Sequence, residues 1–143
     1  MTYPLETESS FCLPPRKELV VPSILVIDDD AQVRTFMRII LEAQGHEVRE
    51  AGNGNDGIKA YRQRAADLVL CDLFMPDKEG LQTIREMYDE FGKMKIVAIT
   101  GGSCQYRNVD FLLAAKKCGA VAALHKPFEA KSFVKALNEI LAV

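Results

Sequence analysis

Long apolar runs, metal-ligand cysteine spacings and an excess of basic charge are all missing from this chain of 143 residues. No apolar stretch approaches the roughly 20 residues that a membrane-spanning helix needs, so membrane insertion is not expected. The N-terminus, MTYPLETESSF, has no basic segment followed by an apolar one and does not look like a signal peptide. Four cysteines, Cys12, Cys71, Cys104 and Cys118, form no CxxC pair and no Cys/His cluster with metal-ligand spacing. Free thiols in a reducing compartment follow, which places the protein in the cytoplasm. A formal net charge of -2 gives no basic field to attract nucleic acid directly.

What is present is the make-up of an ordinary globular domain, 48% hydrophobic and 27% charged. The length suits one core and leaves no room for an output module of ordinary size. Four of the six prolines, Pro4, Pro14, Pro15 and Pro22, fall in the first 22 residues, where no helix or strand periodicity is sustained. Residues 1–22 are therefore read as an irregular or flexible N-terminal extension, and 23–143 as the folded domain.

From Ser23 onward, short apolar runs alternate with amphipathic stretches. The runs are SILVID, HEVREA, DLVLCD, KIVAIT and AVAALH. Helical spacing of apolar residues recurs at Val33, Phe36, Met37, Ile40 and Leu41, at Leu81, Ile84, Tyr88 and Phe91, and at Phe133, Val134, Leu137, Ile140 and Leu141. The pattern predicts an α/β fold: a doubly wound, five-stranded parallel sheet flanked by five helices. In such sheets the functional crevice lies at the carboxyl ends of the strands, where strand order reverses.

Those ends carry Asp28, Asp29 and Asp30 after the first strand, Asp72 after the third, Thr100 after the fourth and Lys126 after the fifth. Crowded carboxylates repel one another and call for a cation, and a hard oxygen-rich site suits Mg2+. Lys126 can hold a carboxylate or a phosphoryl oxygen, and Thr100 can donate a hydrogen bond. The set is chemically suited to phosphoryl transfer onto a carboxylate.

The motifs ILVIDDD, DLFMPDKEG, AITGG and HKPF, in this order and at these spacings, resemble the receiver domains of two-component response regulators over nearly all of Ser23 to Val143. The resemblance implies a flavodoxin-like receiver fold in a single-domain, stand-alone response regulator, not an enzyme. By position it implies Asp72 as phosphoacceptor, with Asp28, Asp29, Asp72 and the backbone carbonyl of Phe74 around Mg2+. Thr100 would meet the phosphoryl group and Lys126 would pair with it. Gly101 would give access, and Pro127 stands where a cis bond is common in the family. The implied partners are a histidine kinase or histidine phosphotransfer protein upstream and a protein target downstream.

The chain departs from the family at three places. The usual aromatic switch position falls on Ala123, so the usual coupling of a threonine to a rotating ring cannot operate in that form. The stretch TGGSCQYRNVDFLLAAKKCG is longer than usual, and Gly101 and Gly102 can let it rearrange, with Tyr106 or Phe111 as substitute reporters. Phe74 and Gly102 occupy positions that tune hydrolysis, and the apolar Phe74 predicts a slow loss of the phosphoryl group.

Plainer duties are expected for several neighbours: Asp30 as a helix cap, His46 and His125 as structural or solvent-facing residues, Cys71 as a small buried hydrophobe. Cys104, in a Gly-rich loop, is the better candidate for thiol reactivity. Alternative functions are a phosphorylation-independent scaffold on the same fold, or an aspartyl-phosphate phosphatase. The phosphatase reading meets Phe74 where the haloacid-dehalogenase type needs a second aspartate.

Overall fold

The structure is a computed structural model that describes residues 21–75, 78–101, 111–126 and 128–142, without the side chains at 111 and 112. Gly102, Cys104, Tyr106 and Pro127, the side chain of Phe111, and nearly all of the N-terminal extension lie outside the described residues.

Five strands and five helices alternate along the described chain. They run β1 (Ser23–Ile27), α1 (Ala31–Ala43), β2 (Glu47–Ala51), α2 (Gly54–Gln63), β3 (Leu68–Asp72), α3 (Gly80–Phe91), β4 (Ile96–Thr100), α4 (Phe111–Cys118), β5 (Ala122–His125) and α5 (Ala130–Ala142). The strands form one parallel sheet in the order β2-β1-β3-β4-β5. The doubly wound α/β sheet expected from the alternating pattern is the one observed.

Strand composition follows position in the sheet. The inner strands β3 and β4 are buried at every residue, because helices cover both faces. At one edge, β2 reads EVREA and buries only Val48 and Ala51. Its Arg49 caps the end of α2, donating from Nη1 to the Ala60 carbonyl at 3.0 Å and from Nη2 to that of Arg64. At the other edge, β5 is half-buried and ends on an exposed His125.

Side-chain alternation divides the interior into two cores. Leu25, Ile27, Val69, Cys71, Ile96 and Ala98 face one side and meet Ile58 of α2, Ile84 and Met87 of α3 and Ala115 of α4. Ile24, Val26, Leu68, Leu70, Val97 and Ile99 face the other and meet Met37 and Leu41 of α1 with Phe133 and Leu137 of α5. Each fully buried Leu, Ile or Phe here contributes about 1.5–3 kcal/mol. Phe36 and Tyr88 share the helical spacing of their buried neighbours yet remain 44% and 43% exposed. They sit at the margins of their stripes, Phe36 beside the ring of Phe128 at 6.3 Å and Tyr88 over Gly119.

Candidate functional site

The chain leaves β1 for β2 on one side and later crosses to β3 on the other, so strand order reverses between β1 and β3. Asp28 follows β1 and Asp72 closes β3, which puts both carboxylates at this switch point. Local chemistry fixes the turns. Asp30 caps α1, accepting from the backbone N–H of Gln32 at 2.9 Å and of Val33 at 3.4 Å. Arg34 donates to the Asp28 carbonyl at 2.6 Å and to Glu50 at 3.0 Å, tying the end of β1 to α1 and β2.

The start of α3 is drawn tightly onto the end of β3. The Gly80 N–H donates to the Leu73 carbonyl at 3.0 Å. A Cβ at Gly80 would lie 2.1 Å from the Asp72 carbonyl oxygen and 2.4 Å from Leu73 Cα. No side chain fits there, which explains the glycine of DKEG and holds the phosphoacceptor candidate by its backbone.

Asp28 is fully buried and Asp72 is 5% exposed, so neither charge is dispersed by bulk water. Their oxygens divide the work in the same way. Asp28 Oδ1 accepts from the Asp30 N–H at 2.9 Å, and Asp72 Oδ1 accepts from the Phe74 N–H at 3.1 Å. Both Oδ2 atoms face Lys126, whose Nζ lies 2.9 Å from Asp28 and 3.6 Å from Asp72. Burial, then the charge of Asp28, push the Asp72 carboxyl up to about 6, against the Phe74 N–H and Lys126. Burial would lower the Lys126 ammonium, but its hydrogen bond to Asp28 and the two carboxylate charges hold it above its ordinary value.

Asp29, exposed, completes an acidic cluster: ligand oxygens of Asp28, Asp29 and Asp72 all lie within 4.8 Å of one another. All three are hard oxygen donors, and one ammonium among three carboxylates leaves negative charge that a divalent cation balances. The residues present fit Mg2+.

Thr100, 1% exposed, ends β4 one residue beyond Ile99, the register partner of Asp72. Its hydroxyl donates to the Leu124 carbonyl at 3.3 Å and lies 2.8 Å from Nδ1 of His125. Gly101 follows, and the half-buried Phe74 ring lies 3.9 Å from where a Gly101 Cβ would be. Ala123, half-buried in β5, packs against the α3 and α4 side of the core with no ring of its own. Cys71 is fully buried, and burial followed by the Asp72 and Asp28 charges pushes its thiol up, as suits an inert core residue.

The structure thus gathers Asp28, Asp29, Asp72 and Lys126 into one cluster and sets Thr100, Gly101 and Phe74 at its side. Sequence reasoning missed the contact of His125 with Thr100. The signal was available in register, since the two residues end adjacent parallel strands and pair directly.

Residues 24–138 match the response regulator receiver domain. The chain is 30% identical over 118 residues to the chemotaxis protein CheY of Thermotoga maritima, covering 82% of this chain and 95% of that protein. It is 33% identical over 119 residues to the transcriptional regulatory protein ZraR of Klebsiella oxytoca, covering 83% of this chain. There it spans about a quarter of the relative's length, 26%. The CheY-like receiver domain protein of Methanospirillum hungatei superposes with a TM-score of 0.78 at 25% identity, covering 86% of this chain and 95% of that one. No helix among the described residues is long and apolar enough to cross a membrane. With sheet order, acidic switch point and sequence match in agreement, this chain belongs to the response regulator receiver domain family.

Proposed function

We propose that Asp72 is a phosphoacceptor and that its phosphorylation switches the affinity of this domain for a protein partner in two-component signal transduction. The observation that carries this reading is the shared Lys126, set against the Oδ2 atoms of two buried carboxylates at 2.9 and 3.6 Å. Such an arrangement is strained by repulsion as it stands and improves when a phosphoryl group and a cation redistribute the charge.

The donor is a histidine kinase or a histidine phosphotransfer protein. A carboxylate oxygen of Asp72 attacks phosphorus, forming an O–P bond. The P–N bond of the phosphohistidine breaks, and its electron pair leaves with the imidazole nitrogen. Lys126 moves its ammonium toward the phosphoryl oxygens, and the Phe74 N–H keeps the Asp72 carboxylate oriented. Asp28, Asp29, Asp72 and the Phe74 carbonyl would hold magnesium, which would supply positive charge against the phosphoryl oxygens. Phosphorylation then changes partner binding only as far as the phosphoryl group favours one conformation over the other.

Mass spectrometry of the chain after acetyl phosphate and Mg2+ tests this. A phosphoryl adduct that is lost with EDTA and in Asp72→Asn supports the reading. Absence of any adduct, also with a histidine-kinase donor, would favour a phosphorylation-independent scaffold.

A further inference from the structure

The Thr100 hydroxyl is engaged on the side of β4 away from the phosphoacceptor candidate. Strand β4 lies between β3, which ends in Asp72, and β5, which carries Leu124 and His125. Among the described residues, both partners of the hydroxyl belong to β5: the Leu124 carbonyl at 3.3 Å and His125 Nδ1 at 2.8 Å. Around them the backbone is fixed, because the Lys126 N–H donates to the Thr100 carbonyl at 2.8 Å. A side-chain rotation about χ1 is therefore the economical way for the hydroxyl to change partners.

A hydroxyl has one proton to donate, and phosphoryl oxygens only accept. To meet a phosphoryl group on Asp72, Thr100 Oγ1 must turn from β5 toward β3, withdrawing its proton from the Leu124 carbonyl and giving up the 2.8 Å contact with His125. His125 has somewhere to go, since the residue is exposed while Thr100 is buried. Alternation along β5 places His125 on the same face as Ala123, which packs toward α3 and α4. A freed imidazole would thus alter the surface beside α4, converting a change in the pocket into one that a partner can read.

We propose that His125 is a positioning residue that holds the Thr100 hydroxyl on β5 while Asp72 is unmodified and releases it on phosphorylation. The proposal rests on the reading of Asp72 as phosphoacceptor and assigns the switch to a residue pair, Thr100 and His125, that requires no ring at position 123. A contact made only in the unmodified state opposes the phosphorylated one, so removing it must favour capture.

The test is a titration of isotope-labelled full-length chain with beryllofluoride and Mg2+, followed by NMR at the His125 ring and the Gly101 amide. The His125 ring resonances are expected to shift with the same midpoint as the Gly101 amide. His125→Ala is expected to bind beryllofluoride about fivefold more tightly, the worth of one ordinary hydrogen bond. His125→Asn, which keeps a hydrogen-bonding atom near the place of Nδ1, is expected to return to the wild-type midpoint. An unmoved His125 ring while Gly101 saturates, or an Ala variant that binds equally or more weakly, would overturn the latch and leave the receiver reading intact. No response at Gly101 in the wild-type chain would overturn that reading and the latch together.

Discussion

Nζ of Lys126 stands 2.9 Å from Oδ2 of the fully buried Asp28. The longer 3.6 Å separation from Asp72 means that, before any modification, the lysine chiefly neutralises Asp28. Removing one partner of such a pair leaves a buried charge with, among the described residues, a single remaining side-chain hydrogen bond, from the Asp30 N–H. Lys126→Ala is expected to lose about 1–3 kcal/mol in EDTA, discounted because the lysine is partly open to solvent. Urea unfolding with and without Mg2+ checks this, and added Mg2+ is expected to restore part of the loss. A variant as stable as wild type in EDTA would contradict the pairing.

The raised Asp72 carboxyl has a sign that can be followed through pH. In the folded chain it holds its proton up to about 6, against an ordinary value of 3.8, so the folded state binds the proton more tightly than the unfolded one. Ionising Asp72 therefore costs stability as pH rises through that window. Asp72→Asn escapes the cost. In EDTA it is expected to exceed wild type by about 1–2 kcal/mol above pH 6. The gap should close as pH falls toward 4, which denaturant midpoints across that range measure. A gap independent of pH would contradict the raised Asp72 carboxyl that burial, then the Asp28 charge, produce.

Gly80 sets the backbone of the site through an absence of atoms. Its Cβ position, 2.1 Å from the Asp72 carbonyl oxygen, faces backbone that cannot step aside without moving Asp72. Gly80→Ala is expected to cost about 2–3 kcal/mol and to weaken Mg2+ binding as well. Gly52→Ala serves as control, because its nearest neighbour, Arg34 Nη1, stands at an ordinary contact distance of 3.6 Å. Calorimetry and Mg2+ titration of both variants decide the matter. Equal behaviour of the two would refute the close-approach explanation.

These geometries show which parts of the molecule sequence could reveal. The five apolar runs identify the strands because β3 and β4 are covered on both faces, and the acidic, hydroxyl and cationic strand ends identify the cluster because parallel strands deliver their ends to one edge. Periodicity reports an angle around a helix and says nothing of depth, so Phe36 and Tyr88 were indistinguishable from Met37 and Ile84 until packing placed them at the rim. His125 was opaque for another reason. Its role comes from lying beside Thr100 across two strands 25 residues apart in the chain, and an exposed histidine carries no local mark of such a neighbour. Gly80 closes the motif DKEG, yet only the approach of α3 to β3 shows why nothing larger fits.

Phe74 presents an apolar ring beside Gly101, and the family resemblance implies that its position tunes hydrolysis by placing or shielding the attacking water. A ring offers that water no hydrogen bond. Phe74→Asn is expected to shorten the aspartyl-phosphate lifetime about fivefold, the effect of one added hydrogen bond in the transition state. Loss of the phosphoryl adduct over time by mass spectrometry provides the rates. An unchanged or longer lifetime would contradict a shielding role.

Location of the phosphoryl group is the most direct test of the central claim. The chain is phosphorylated with acetyl phosphate and Mg2+, reduced with borohydride so that an acyl phosphate becomes homoserine, and sequenced as peptides. Homoserine at position 72 alone is the expected result. Homoserine at 28 or 29 instead, or an adduct that survives on another residue while Asp72 stays intact, would contradict the assignment of Asp72 as phosphoacceptor.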